Sequence, residues 1–331
     1  MRLFLFVTFY LPVNAPGLLN ATVVNMKINN AVVLLLKGFC MGTADVIPGV
    51  SGGTMALILG IYSRLINAIK SFDLVWLKGL LKPDTRIIFG RPDFVFIIPL
   101  LSGIVAALFF FTRVISLPML LETYPEPVYG LFFGLIAGSI IILVQNMGNL
   151  TLSGFMYLVL GAIFGMVVFN LVPLNTPETG WFVFISGALA ICAMLLPGIS
   201  GSFILLILRK YSYIFNAVGY LDLSILIPFV LGVVTGLVLF SRFLSWLLNK
   251  YYVQTILAIT GMLLASLWVI WPFQDRVFET VNNKQRLISA SPYFPESFVF
   301  NVQIALLMIT IGFASVIIIN IIANRVSHSG V

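Results

Sequence analysis

The sequence predicts an all-α polytopic membrane protein made of two inverted repeats, each a re-entrant helical hairpin plus three transmembrane helices. Three observations carry this prediction: the composition, six apolar segments of bilayer length, and a Pro-Gly-x-Ser-Gly motif that occurs twice. Hydrophobic residues make up 60% of the 331-residue chain, charged residues 9%, and mean hydropathy is +1.11. A water-soluble domain could not cover its surface with so few charges. One integral membrane domain accounts for the length and leaves no room for a large soluble module.

Residues 1–30 are expected to be an N-terminal extension. Arg2 followed by Leu3–Leu11 is faintly signal-like, but Pro16 directly after Ala15 is a poor cleavage context. Met26-Lys27 immediately precedes the first arm and is the expected alternative start. Repeat 1 then covers 31–172. Its hairpin, 31–69, has apolar arms at 31–47 and 51–69, and spans follow at 94–116, 128–147 and 153–172. Between hairpin and spans lies a basic stretch, Lys70 to Asp93, in which Leu74–Leu81 reads as an interfacial helix. Repeat 2 covers 181–323, with a hairpin at 181–219 (arms 181–196 and 200–219) and spans at 223–248, 254–273 and 301–323. Residues 274–300 form the longest polar connection, and 324–331 a tail.

Aligned polar and helix-breaking residues support the duplication. Tyr62-Ser63 and Asn67-Ala68 recur as Tyr211-Ser212 and Asn216-Ala217, at the same distance from the motif proline. Pro99, Gly103 and Arg113 recur as Pro228, Gly232 and Arg242, and Gly134 with Ser139 as Gly261 with Ser266. The second arms are short. Ser51 to Tyr62 is eleven residues, about 16 Å of helix, near half of a bilayer core of about 30 Å. Re-entrant hairpins follow, and three spans between them invert the second repeat. Lys70–Arg91, Lys250 and Arg325 fall on one side, which the positive-inside rule makes cytoplasmic in a bacterial inner membrane. Arg209 and Lys210 run against that charge bias.

The broken motif has a chemical purpose. Proline stops one arm, glycines relax the backbone, and the next helix begins with unpaired N–H groups and a partial positive charge. Such a terminus suits an anion, above all a phosphate. The candidate phosphate-binding residues are Gly49, Ser51, Gly52, Gly53 and Thr54 in the first motif. In the second they are Gly198, Ser200, Gly201 and Ser202. Small residues also serve close helix packing, but two copies at inverted positions, each with proline and serine, favour a transporter site at the midplane. Asp45, matched by Met194, is the candidate for ion coupling, because a bare carboxylate at that depth costs about 2.5–3.5 kcal/mol; capping the broken backbone is its alternative role. Arg113 and Arg242 are candidates to reach the phosphate, with snorkelling to headgroups as the alternative. Arg64, Arg209 and Lys210 at the hairpin mouths are placed to attract an anionic headgroup. Cys40, Cys192 and His328 lack metal-ligand spacing, so no metal and no cofactor is expected. The net charge of +7 forms no basic patch of the kind nucleic acid needs. A homodimer is compatible with the sequence.

The stretch Ala44-Asp-Val-Ile-Pro-Gly-Val-Ser-Gly-Gly-Thr-Met-Ala-Leu-Ile-Leu-Gly-Ile-Tyr62 resembles the signature of a bacterial family long filed as a domain of unknown function, now regarded as polyprenyl-phosphate (undecaprenyl-phosphate) translocases. The resemblance extends from about Lys27 to the end. It implies return of the lipid carrier's phosphate headgroup from the periplasmic to the cytoplasmic leaflet after cell-wall precursor delivery. The closest rival is an enzyme. Both motifs are similar to the Pro-Gly-x-Ser-Arg-Ser-Gly motif of intramembrane polyprenyl-pyrophosphate phosphatases, but Gly52 and Gly201 stand at the arginine position. Losing that cation removes charge stabilisation from phosphoryl transfer. The Glu-x-x-x-Glu pair of those enzymes has one counterpart by spacing, Glu122 and Glu126, far from either motif. A small-anion or ion transporter is the third reading.

Overall fold

A computed structural model describes residues 21–328 apart from 48–49, 82–83, 116, 149–150, 172–175, 282–283 and 297–299. The expectations for residues 1–20, for Pro48 and for Gly49 fall outside the described residues. The first helix, α1 (Ala21–Val46), begins ten residues before the expected arm. The chain then breaks and resumes as α2 (Gly52–Ile58) and α3 (Tyr62–Lys70), followed by two short helices, α4 (Leu74–Leu81) and α5 (Thr85–Gly90). Long helices α6 (Phe94–Arg113), α8 (Pro125–Asn146) and α9 (Leu152–Phe169) complete the first half, with the short α7 (Leu117–Thr123) between α6 and α8. The second half repeats the order: α10 (Gly180–Leu195), a break, α11 (Gly201–Ile207) and α12 (Tyr211–Tyr220), then α13 (Leu223–Lys250), α14 (Tyr252–Val269) and α15 (Phe300–His328).

Six described helices are long and apolar enough to cross a membrane: α6, α8, α9, α13, α14 and α15. They fall on the six segments expected as spans. Two expectations need correction. The polar connection 274–300 contains an antiparallel hairpin, β1 (Gln274–Val281) with β2 (Lys284–Pro292), irregular in register between Val277 and Phe278. The second arms are not continuous helices either. α2 and α11 have seven residues each, about 10 Å, and each ends in a turn before α3 or α12.

That second turn is the same structure in both halves. Gly60 N–H donates to the Leu57 carbonyl and Ile61 N–H to that of Ala56; Arg209 and Lys210 do the same to Leu206 and Leu205. This is the reciprocal pair of bonds that closes a helix through a left-handed residue. Gly60 supplies that residue at φ +68°, whereas the second half uses Arg209 at φ +51°. A side chain there costs about 1–2 kcal/mol.

Proximity of backbones, not oil-like burial, holds the helices together, since lipid is as apolar as leucine. α1 packs on α6 and α10 on α13, while α8 packs on α15 and α14 on α9. A Cβ at Gly38 would collide with the Leu100 carbonyl, and one at Gly103 with that of Leu35. The matched crossing has Gly187 against Phe229 and Gly232 against Phe184. One turn on, Gly42 faces Ala107, whereas in the second half the small residue has changed sides and Gly236 faces Ile191. The other two crossings are locked by Gly134 with Gly312 and by Gly261 with Gly161, each against a carbonyl of its partner helix. The helix pairs and their glycines therefore correspond between the two halves. α8 and α14 lie at the centre, with more than half of each buried.

At one end of the molecule, Arg64 of α3 pairs with Asp93 at the start of α6 (Nη2 to Oδ2, 2.8 Å) and lies over the Phe96 ring. At that same end Asn67 Oδ1 accepts from Ser245 of α13 at 2.8 Å, and Lys70 Nζ donates to the same hydroxyl at 3.1 Å. The basic connection 70–93 and the Lys250 end of α13 thus share a side.

Gly232→Leu should force α10 and α13 apart and cost about 1–3 kcal/mol or more, read as lost folded yield and a lower melting temperature in detergent. Gly219→Ala, with nothing within 4 Å, should be neutral or gain up to about 1 kcal/mol. The Arg91 guanidinium hydrogen-bonds Asp73 and holds its carboxyl down at about 2. A carboxylate lowered this way contributes stability above its ordinary value near 3.9 and loses it as pH falls through about 2. The pair is partly exposed, so Asp73→Asn should change stability at pH 7 by less than about 1 kcal/mol.

Candidate functional site

The two breaks meet. Gly198 N–H of the second break donates to Thr54 Oγ1 at 2.8 Å, and Tyr62 Oη donates to the Leu195 carbonyl, the last residue of α10, at 2.8 Å. Both bonds are buried. Gly53 lies so close to the backbone of Met194 that a Cβ there would stand 3.1 Å from its carbonyl oxygen. Side chains of the first hairpin therefore satisfy backbone groups that the second break leaves unpaired, which is obligatory where no water reaches.

The first tip is closed on itself. Ser51 caps α2, its Oγ accepting from Gly53 N–H at 3.2 Å. Asp45 Oδ1 accepts from Gly52 N–H at 2.7 Å. The carboxylate thus sits at the positive end of α2, where an external anion was expected to bind. Gly52 is required for that contact, since a Cβ would lie 2.6 Å from Asp45 Oδ2. Ser51, Gly52, Gly53 and Thr54 are all buried, while Asp45 itself keeps an exposed face.

The second tip is open. Gly198 takes φ +94° and Ser200 precedes α11, but no side chain caps that helix. The Ser200 and Ser202 hydroxyls lie 2.7 Å apart, and Ser202 is exposed. Gly201 packs against the Ala190 carbonyl, where a Cβ would stand 2.7 Å away. Met194 replaces Asp45 and is exposed. The two tips differ, as the Asp45/Met194 mismatch in the sequence suggests, in that one already holds a carboxylate.

The arginines and lysines separate. Arg113 ends α6, about 30 Å of helix from the Asp93 end. Arg242 lies one turn from Ser245, which is bonded to α3 near Arg64. The matched pair therefore stands towards opposite ends of the molecule and does not converge on one phosphate. Arg64 is tied to Asp93. Arg209 is exposed. Lys210 is 1% exposed, donates to the Thr176 carbonyl at 3.0 Å and lies over the rings of Phe182 and Tyr213; it closes the α11–α12 corner from inside and is not at the hairpin mouth. One buried cation escaped the sequence reading. Lys37 of α1 donates to the Leu59 carbonyl at the end of α2 at 2.9 Å, and its signal was a lone lysine inside an apolar arm. Among the described residues, no group of three or more His, Cys, Asp or Glu could hold a metal.

Tyr62→Phe leaves the buried Leu195 carbonyl without its donor. It should cost about 1–3 kcal/mol, read by thermal unfolding in detergent, with little change in helix content.

The sequence model of the family described as "VCA0040-like: Undecaprenyl phosphate translocase-like" matches residues 41–288, which include both breaks. A polyprenyl-phosphate transporter of Vibrio cholerae serotype O1 is 41% identical over 257 residues, covering 78% of this chain and 83% of that protein. A polyprenyl-phosphate transporter of Staphylococcus aureus is 31% identical over 259 residues, covering 72% and 85% respectively. Both relatives are named as transporters and neither as an enzyme. No solved structure matches the chain significantly. With a family match over most of its length and a relative above 40% identity, this chain belongs to the undecaprenyl phosphate translocase-like family.

Proposed function

We propose that this protein moves polyprenyl phosphate from the periplasmic to the cytoplasmic leaflet of the bacterial inner membrane, returning the lipid carrier for envelope synthesis. The observation that carries the reading is the tip-to-tip contact of two broken helices inside a bundle of six apolar helices. Irregular backbone at that depth is tolerated only where it is buried in protein or lines a cavity. The family match over residues 41–288 spans both breaks, and two relatives are named polyprenyl-phosphate transporters.

In this reading the halves are inverted repeats with re-entrant hairpins, and rocking of one half against the other alternates access. The phosphate is received at the second tip, by Ser200, Gly201 and Ser202 beside Gly198, because the first tip holds its own carboxylate. Replacing the phosphate's hydration by fixed donors lowers the cost of carrying it past hydrocarbon, while the prenyl tail stays in lipid. Arg113 and Arg242 serve the two faces in turn, one at each end of the path. Arg209 draws the headgroup in, which explains an arginine kept in a left-handed position that glycine would fill at lower cost. Asp45 couples transport to a proton. Protonated, it accepts less strongly from Gly52 N–H, and the start of α2 becomes a second anion-accepting end while Lys37 keeps the far end of α2 on α1. The phosphatase alternative loses further ground at Gly52, where the Asp45 carboxylate occupies the space an arginine would need. The connection 70–93, on the Lys250 side, faces the cytoplasm.

Purified protein in liposomes should move a fluorescent polyprenyl phosphate between leaflets; absence of movement with folded, oriented protein overturns the proposal. The double variant Ser200→Ala, Ser202→Ala should slow transport about tenfold or more, the loss expected from one or two hydrogen bonds to a charged group. Asp45→Asn should abolish the response to an imposed pH gradient, and an unchanged response removes the coupling role. Arg209→Gly should stabilise the protein by about 1 kcal/mol while slowing transport.

A further inference from the structure

α2 is held by charge at both ends. At its start Asp45 accepts from Gly52 N–H at 2.7 Å; at its finish Lys37 donates to the Leu59 carbonyl at 2.9 Å. Both side chains come from α1, eight residues apart, about 12 Å along that helix. α2 is about 10 Å long and packs against α1 after the chain turns back on itself. The spacing on one helix thus matches the length of the other. The carboxylate meets the positive end of the α2 dipole and the ammonium its negative end.

The second half has neither charge at the matching positions of α10; the Lys210 ammonium, just past the end of α11, donates to the Thr176 carbonyl and not to the short helix. Position 37 corresponds to Ser186, whose hydroxyl donates to Phe182 of its own helix, and position 45 to Met194. α11 has no side-chain cap at its start, and the Leu208 carbonyl at its end receives only the neutral Thr176 hydroxyl. Burial follows the same division. Six of the seven α2 residues are buried, whereas in α11 only Ile207 is. An ammonium held away from water is costly, and Lys37 is 8% exposed, so its retention needs an offsetting interaction. The bond to an orphan carbonyl at the end of a helix supplies one.

We infer that Lys37 and Asp45 clamp α2 against α1, making the first hairpin the stationary half of the site and α11 the short helix that moves. Lys37 is a positioning residue, acting on α2 and not on cargo. The inference rests on the two hydrogen bonds and the burial of the short helices, and it stands whether or not the cargo is polyprenyl phosphate.

Hydrogen–deuterium exchange of the full protein in lipid nanodiscs tests it. In wild type, amides of 54–58 should exchange at least tenfold more slowly than those of 203–207. Lys37→Met should speed exchange in α2 about tenfold and leave α11 unchanged, and Lys37→Arg, which keeps a cationic donor, should restore most of the protection. Adding Asp45→Asn to Lys37→Met should accelerate exchange by less than the product of the single effects, because both release the same helix. Equal protection of α2 and α11 in wild type overturns the inference, and that comparison needs no variant to fold. So does α2 exchange that Lys37→Met does not change, or that Lys37→Arg does not restore. Loss of cargo movement with the wild-type exchange pattern intact would overturn the proposed function alone.

Discussion

A helix broken inside a protein's interior must find partners for its own backbone, and that requirement governs this structure. Each break exposes carbonyls of the helix that stops and N–H groups of the helix that starts, and where these are buried the protein itself must satisfy them. Ser51 and Asp45 answer for the first break; Thr54 and Tyr62 answer for the second. Lys37 and Thr176 answer at the far ends of the two short helices. Almost every polar side chain in the site is accounted for by this need before any ligand is considered. Among the described residues of the two tips, the hydroxyls that bond to no broken backbone are those of Ser200 and Ser202 of the second tip, which bond to each other.

The two halves are alike in backbone and differ in side chains. Glycine crossings, helix pairings and the left-handed turns correspond between halves. Lys37, Asp45 and Thr54 correspond to Ser186, Met194 and Phe203, and the hydrogen bonds follow those differences. A symmetric frame with an asymmetric lining gives one rigid and one loosely held element at a shared site. A polar lining on both sides would have doubled the desolvation burden without adding a second function.

The six spans were legible because hydropathy over about 20 residues has few competing explanations. The motif breaks were legible because proline and glycine act locally. The turn after each short helix was not. Gly60 sits in an unbroken apolar run, and Arg209 carries no glycine signal for the left-handed backbone it adopts. The β-hairpin had a readable signal in Asn282-Asn283 between two alternating stretches, outweighed by the polarity of the segment. Lys37, Lys210 and Arg113 share another difficulty. Sequence tells that a cation lies in or near an apolar segment, but not whether it meets a carbonyl, a ring or a lipid headgroup, which depends on where a chain more than twenty residues away returns. Asp45 shows the limit most clearly. Its place at a helix break was readable; its bond to Gly52 depended on the angle of a turn.

The bonds from Thr54 and Tyr62 to the second break also impose an order of assembly. The Leu195 carbonyl and Gly198 N–H are completed by residues made about 130 to 145 positions earlier. A chain synthesised from its N-terminus therefore delivers the second hairpin into a membrane where the groups that complete it are already in place. The reverse does not hold, since Ser51, Asp45 and Lys37 close the first hairpin from within its own sequence. The first hairpin is thus a template as well as half of a site, and damage to it is inherited by a segment whose own sequence is intact.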